Sequence, residues 1–224
     1  MISMIVPVYN EAKVLSENAL RFQELSKQAE IIFVDGESSD ASVRIASMFG
    51  KVIQSKKGRA LQMNAGAHSA QGDLLLFLPV DARIALDTLP VMNELIHTGG
   101  CIGGCLRQRI DNDAFVYRLI EAQGNARARR HKIFYGDQGI FVKKDTFFEI
   151  GGFPEVPIME DVLFTRKLRK WGQTVVLPDK IMVSARRWEH KGIIKTMLLF
   201  NLIIILFHLK VPLSKIKLLY EDIR

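Results

Sequence analysis

The chain has 224 residues, 48% of them apolar and 25% charged, which excludes a disordered or fibrous polypeptide and allows one large domain with a buried core. Its formal charge of +7 is uneven: from Arg186 to Arg224 eight Lys/Arg stand against three acids. A basic C-terminus of this kind suits an anionic surface such as a phospholipid leaflet and does not indicate nucleic acid.

In chain order, Met4 to Val8 is a short β-branched run containing Pro7, followed by Tyr9-Asn10-Glu11 and a helical pattern. Leu15, Ala19, Phe22 and Leu25 keep spacings of three and four, so one stripe packs on a sheet. Ile31 to Val34 is a fully apolar strand ending at Asp35, and Gly36-Glu37-Ser38-Ser39-Asp40 is turn chemistry plus a helix N-cap. Val43, Ala46, Met48 and Phe49 mark the next helix, and Lys51 to Gln54 a third strand. Lys56-Lys57-Gly58-Arg59 opens a helix that closes at Gln71-Gly72, the two lysines reading as solvated.

Leu74 to Leu78 is too short a run for a typical helix and reads as a central strand covered on both faces, ending near Asp81. Three βα units in about eighty residues imply an α/β fold with a parallel sheet and right-handed crossovers. In such sheets ligands collect beyond the carboxyl ends of strands, which puts Asp81 where a substrate or metal is expected.

Beyond Asp81 the pattern predicts a helix over Asp87 to His97, a Gly-rich strand over Cys101 to Leu106, and a helix from Asp113 into the basic run ending at Lys132. A strand over Gly139 to Val142 follows, then a short helix to Ile150, a turn at Gly151-Gly152-Phe153-Pro154, and a helix from Glu160 to Trp171. Cys101 and Cys105 lack the further thiols of a four-thiolate zinc site and read as reduced residues of a cytosolic protein. Met1 to Tyr9 has no basic n-region and does not read as a signal peptide.

Thr196 to Leu209 is apolar nearly all round and bracketed by Lys195 and Lys210. Fourteen helical residues cover about 21 Å, short of a bilayer core of about 30 Å. Three readings stay open: a helix in the membrane interface, a dimer contact, or a core helix. The organisation expected is a main domain over 1–190 and an apolar, basic helical tail over 191–224.

Six motifs in order carry a resemblance. Pro7-Val-Tyr-Asn-Glu11, Val34-Asp-Gly-Glu-Ser-Ser-Asp40, Gly58-Arg-Ala-Leu-Gln-Met-Asn-Ala-Gly66, the strand to Asp81, Gly151-Gly-Phe153 with Met159-Glu-Asp161, and Arg187-Trp188 resemble those of family 2 glycosyltransferases with the GT-A fold. The hydrophobic tail resembles that of one small bacterial subgroup. The resemblance implies transfer of a sugar, with inversion, from a UDP- or GDP-linked donor to a hydroxyl acceptor, and leaves open whether that acceptor is lipid-linked.

Under that resemblance Asp35 accepts a hydrogen bond from the donor base, Pro7, Tyr9 and Glu11 wall the base and ribose, and Arg59 meets the diphosphate. Glu11 also suits the dipole of the helix it opens. Asp161 is the candidate base that takes the acceptor proton, with Asp137, Gln138 and Glu160 on the acceptor side; a helix-capping role for the Glu160-Asp161 pair is the alternative. Asp81 is the candidate ligand for a divalent ion, Mn²⁺ or Mg²⁺. The family's Asp-x-Asp is here Pro79-Val80-Asp81, without the first carboxylate; a later residue such as His190, or Arg and Lys side chains, could contribute, while His190 beside Glu189 and Lys191 reads first as a surface histidine. The Gln of a full Gln-x-x-Arg-Trp motif is replaced by Val183, so processive synthesis is not implied.

Two other classes compete. A nucleotidyltransferase opens with a Gly-rich phosphate loop, and Pro7-Val-Tyr-Asn-Glu11 argues against it. A non-catalytic, membrane-recruited module with the same fold is the second, motivated by Pro79.

Overall fold

The computed structural model describes residues 1–98 and 100–220, and of Arg187 the backbone alone. The chain end at Glu221–Arg224, part of the expected tail, and the Arg187 side chain of the Arg-Trp motif lie outside the described residues.

Seven strands form one mixed sheet: β1 (Ile2–Val8), β2 (Glu30–Asp35), β3 (Lys51–Gln54), β4 (Leu74–Phe77), β5 (Gly103–Ile110), β6 (Ile140–Lys143) and β7 (Thr174–Val183), in the order β3-β2-β1-β4-β6-β5-β7. The first four are parallel; β6 runs antiparallel to both β4 and β5, and β5 and β7 pair in parallel. Alternate residues serve opposite layers, as a strand covered on both faces requires. Leu74 and Leu76 of β4 join the core under α1 (Ala12–Glu17), α2 (Ala19–Leu25), α3 (Ser42–Ala46) and α5 (Thr88–Thr98). Leu75 and Phe77 join the core under α4 (Arg59–Ser69), α7 (Lys144–Ile150) and α8 (Glu160–Trp171), where Phe77, Phe147, Phe153 and Phe164 stack with centroids 4.5–5.6 Å apart. Cys101 and Cys105 are free and buried.

The structure corrects two local expectations and adds a strand the sequence pattern did not show. The helix after β1 breaks at Asn18, whose side chain donates to the Val14 carbonyl at 2.8 Å, yet Leu15, Phe22 and Leu25 still reach the core. The strand expected from Cys101 begins at Gly103 and runs on to Ile110. Pro178 makes β7 unreadable as a strand, since proline lacks a ladder donor. The register steps from Leu106↔Leu177 to Arg107↔Lys180, so Pro178 and Asp179 bulge out of an edge strand and pairing resumes beyond them.

Beside β5 lies α6 (Phe115–His131). Strand β6 pairs with β5 only at Gly103 and Gly104. Farther along, α6 side chains take the place of a strand: Asn125 receives the Gln108 N–H at 2.8 Å and donates to its carbonyl at 3.0 Å, and Glu121 receives the Ile110 N–H at 2.6 Å. Arg109 and Arg118 balance the Glu121 charge.

The chain then continues through α9 (Arg186–Lys191), α10 (Ile193–His208) and α11 (Leu213–Leu219). Thr196 and Ile203 of α10 and Ile216 of α11 are buried, and Phe200 packs edge-on against Trp188. Ile194, Leu198, Leu202 and Ile205 are exposed along one stripe of α10, and exposed Leu209 follows at its C-terminal end. Among the described residues no helix is long and apolar enough to cross a membrane.

Candidate active site

The sheet order reverses at β1, since β2 lies on one side of it and β4 on the other. A crevice opens beyond the carboxyl ends of strands at such a point. Its walls are tied by side chains. Gln62 of α4 is buried and donates to the Val8 and Val34 carbonyls, both at 2.8 Å, pinning the ends of β1 and β2 together. Asn10, in a left-handed conformation, receives the Ser39 N–H at 2.9 Å, while its own N–H reaches Ser38 Oγ at 2.8 Å. Gly66 lets α4 approach β1 so closely that a Cβ there would collide with Ile5.

Asp35 ends β2, 2% exposed. Its Oδ2 receives the Ser38 N–H at 3.0 Å; its Oδ1 is sealed from solvent with no hydrogen-bond partner among the described residues. An orphaned buried carboxylate oxygen is costly unless a ligand donor meets it. Tyr9 and Pro7 are partly exposed at the end of β1. Lys57, expected in solvent, lies over the Tyr9 ring at 4.0 Å and so belongs to this wall. The Glu11 N–H bonds Ser42 Oγ at 2.7 Å, and Glu11 precedes α1 without a side-chain capping bond.

Across the crevice, Arg21 donates to the Val80 and Ala82 carbonyls and fixes the loop carrying Asp81. Burial, then the nearby Arg83 charge, brings its pKa down to about 10. Asp81 Oδ2 receives a hydrogen bond from Arg186 Nη2 at 3.1 Å, across 105 residues of sequence. His190, expected as a further metal ligand, is exposed on α9, and the α9 side chain that reaches Asp81 is Arg186. Pro79 offers no side-chain donor, and among the described residues no three His, Cys, Asp or Glu side chains cluster. A single carboxylate does fit a hard ion whose shell is completed by phosphate oxygens and water.

The opposite wall comes from α8 and the 3₁₀ turn Gly136–Gln138. Arg59 opens α4 and lies with Nε 3.5 Å from Glu160 Oε1, so close over Gly136 that a Cβ there would clash with the guanidinium. Burial, then the adjacent Asp161 charge, raises the Glu160 pKa, while Arg59 opposes the rise. Asp161 receives two backbone N–H groups, Gly136 at 2.6 Å on Oδ2 and Val162 at 2.7 Å on Oδ1, which leaves one lone pair on each oxygen for a substrate.

Asp137 accepts from Gln108 Nε2 at 2.6 Å, its Oδ1 is a second orphaned oxygen, and burial raises its pKa. Gln138 is fully buried and holds the turn, accepting from Arg127 at 2.8 Å and from the Tyr135 N–H at 3.1 Å. Asn64 of α4 exchanges hydrogen bonds with the Phe153 backbone at 2.8 and 3.0 Å, anchoring the segment that leads to α8.

The glycosyl transferase family 2 model matches residues 3–154, more than half of the chain. The chain belongs to glycosyl transferase family 2. Among its relatives in the family, an undecaprenyl-phosphate 4-deoxy-4-formamido-L-arabinose transferase of Edwardsiella ictaluri is 29% identical over 120 residues, covering 48% of this chain and 37% of the relative. An uncharacterized glycosyltransferase of Haemophilus influenzae is 30% identical over 191 residues, covering 75% of this chain and 62% of the relative. This chain thus spans less than two thirds of either relative. Among solved structures, TarS of S. aureus superposes with a TM-score of 0.66 at 22% identity, over 82% of this chain and 60% of that one. A mannosyltransferase of Pyrobaculum calidifontis, in complex with GDP-Man and Mn²⁺, gives 0.65 at 21% identity, over 81% and 56%. These two show the shared GT-A fold.

Pro7 and Tyr9 stand at the end of β1, Asp35 at the end of β2 and Asp81 in the loop after β4, while Arg59, Glu160 and Asp161 are tied to the 3₁₀ turn that carries Asp137 and Gln138. Sequence reasoning missed Arg186, Gln62, Asn64 and Arg127. Gln62 and Asn64 stood inside the Gly58–Gly66 motif; nothing in the local pattern distinguished Arg186 or Arg127 from other surface arginines.

Proposed function

We propose that this family 2 member transfers a sugar, with inversion, from a nucleoside-diphosphate sugar to a hydroxyl of a lipid-linked acceptor at the cytoplasmic membrane face. The observation that carries the donor half is the unpartnered Asp35 Oδ1 at the carboxyl end of β2, beside the Tyr9 wall. In this reading Asp35 receives an N–H of the base, Pro7, Tyr9 and Glu11 border base and ribose, and Arg59 binds the diphosphate at the N-terminus of α4, where free backbone N–H groups add to its charge. A divalent ion, Mn²⁺ or Mg²⁺, would be held by Asp81 together with the diphosphate and would supply positive charge to the leaving group.

As the new bond from the acceptor oxygen to the anomeric carbon forms, the bond to the β-phosphate oxygen breaks and the nucleoside diphosphate leaves with that electron pair. The acceptor proton passes to Asp161. Glu160 keeps Arg59 oriented, and Asp137 and Gln138 border the acceptor. Calorimetry with UDP and GDP, each with Mn²⁺ and with EDTA, tests the donor half; no binding of either nucleotide overturns it.

The membrane half is supported by the exposed apolar stripe of α10 and by exposed Lys195, Lys210 and Lys215 beside it, in an organisation of a transferase unit over 1–190 and a membrane-facing tail over 191–224. Leu198→Glu with Leu202→Glu is expected to release the protein from phosphatidylglycerol vesicles in sedimentation. Unchanged sedimentation, or conversion of a dimer to a monomer in its place, overturns the membrane assignment.

A further inference from the structure

A groove of about 300 Å³ joins α6, α8 and α10; His131, the last residue of α6, Arg166 of α8, and Phe207 and His208 at the end of α10 line it. Two contacts draw these elements together. Arg169 Nη1 donates to the His131 carbonyl at 2.8 Å, and Arg166 Nη2 lies 3.3 Å from His208 Nε2 with its guanidinium 4.6 Å from the Phe207 ring centroid. Around this junction the surface is basic. Arg129 and Arg130 of α6 and Lys132 just after it stand on one side, Lys167, Arg169 and Lys170 of α8 on the other, and all but the partly exposed Lys132 are exposed. Neither 122–132 nor 162–171 contains an acidic residue, and none of the six cations forms an ion pair among the described residues.

Cations in the last turn of a helix offset its dipole, which is worth about half a charge, so two helix ends account for about one of the six. The others repel one another, and an anionic partner relieves that repulsion. Its kind follows from the apolar side chains beside them. Trp171, which ends α8 next to Lys170, is 55% exposed, with its Nε1 3.3 Å from Glu149. Ile205 and Leu209, on either side of Phe207 and His208 in sequence, are 55% and 69% exposed. A soluble polyanion would leave this hydrocarbon in water, and an uncharged bilayer would leave the cations unpaired. An indole and aliphatic side chains set among cations suit the headgroup level of an anionic leaflet.

Resting on the membrane reading above, we infer that the converging ends of α6 and α8 are a second membrane contact, one that binds anionic phospholipid headgroups with Trp171 at the boundary to the acyl chains. A single helix lying on a leaflet leaves the molecule able to roll about that helix. A second contact beside the end of α10 removes that freedom and fixes how the molecule stands. Met159 and Val162, which flank Glu160 and Asp161, also line the groove, so the fixed side is the one next to the Asp161 wall of the crevice.

The test uses the full chain with vesicles of phosphatidylglycerol or phosphatidylcholine, read by sedimentation and by tryptophan emission. Phosphatidylglycerol is expected to bind at least roughly tenfold tighter. Arg130→Glu with Lys170→Glu is expected to weaken that binding by about tenfold or more, whereas Arg44→Glu with Lys51→Glu, the same charge change at the β3 edge of the sheet, costs less than about threefold. Phosphatidylglycerol vesicles should shift the emission to the blue, and lipid with brominated acyl chains should quench it; Trp171→Phe should abolish both effects. An equal loss from the two charge-reversed pairs, equal binding of the two lipids, or unaltered Trp171 emission in protein that sediments with vesicles overturns the inference. Polyphosphate that displaces the protein from vesicles without itself altering Trp171 emission agrees with it; polyphosphate that produces the same blue shift marks a general polyanion site and overturns it. Release by Arg130→Glu with Lys170→Glu but not by Leu198→Glu with Leu202→Glu removes the α10 contact and keeps this one; the converse removes this contact alone.

Discussion

Replacing Arg59 by Gln removes the cation beside a buried carboxylate. The Glu160 side chain is 8% exposed and the Arg59 side chain 44%, with 3.5 Å between Nε and Oε1. Deleting one partner of a fully buried pair costs about 3–5 kcal/mol. Water already reaches nearly half of this guanidinium, so screening lowers the expected loss to about 1–2 kcal/mol, or roughly 2–8 °C in Tm for a domain of this size. The loss depends on pH, with a definite sign. Burial holds the Glu160 pKa above its unfolded value, so the stability it contributes is present below about pH 4.3 and lost as pH rises through the folded pKa.

Without Arg59 that pKa rises further, so the deficit of the variant is small near pH 4 and widens toward pH 8. Asp137, shifted in the same direction, is present in both proteins and enters the difference only through its weaker interaction with Arg59. Urea unfolding of wild type, Arg59→Gln, Glu160→Gln and the double variant at several pH values is the assay. Glu160→Gln is expected to restore most of the loss in the Arg59→Gln background. A deficit independent of pH, or a double variant no more stable than Arg59→Gln, refutes the reasoning.

Asp161→Asn is expected to lower the transfer rate by about 10²–10⁴-fold with UDP affinity kept within a few fold; a rate near wild type in a steady-state assay removes the base assignment. Gln62→Leu deletes two buried donors to the ends of β1 and β2 and should destabilise by about 1–3 kcal/mol while weakening UDP binding, read by thermal unfolding and calorimetry. Cys101 and Cys105 are buried, and burial raises both thiol pKa values, so a thiol-specific disulfide reagent should label them only as the protein unfolds. Complete labelling of folded protein within minutes would contradict that packing.

Much of the α/β half was legible because its strands are continuous apolar runs that end in polar turns, and burial on both faces leaves little choice of register. Asp35 was placed by the same logic, as a strand end, whereas β4 stops at Phe77 and Asp81 stands in the loop beyond it. The inversion of β6 and the edge strand β7 were not legible. Pro178 spoils the local pattern, and only the bulge opposite Leu106 and Arg107 makes it tolerable. The Arg-rich chemistry was hidden for another reason. Arg186 meets Asp81 across 105 residues, and the groove joins α6, α8 and α10, so neither exists as a pattern in one window of sequence.

Asn125 and Glu121 of α6 have a consequence for solubility. From Gln108 onward the side of β5 away from β7 has no strand beside it, and the backbone groups there would otherwise offer a template for any extended segment of another chain. Hydrogen bonds from Asn125, Glu121 and Arg118 of one helix occupy those groups. Loss of the Asn125 side chain would thus be felt less as unfolding than as edge-to-edge self-association, in a crowded cell or a concentrated preparation, by a molecule whose fold is otherwise intact.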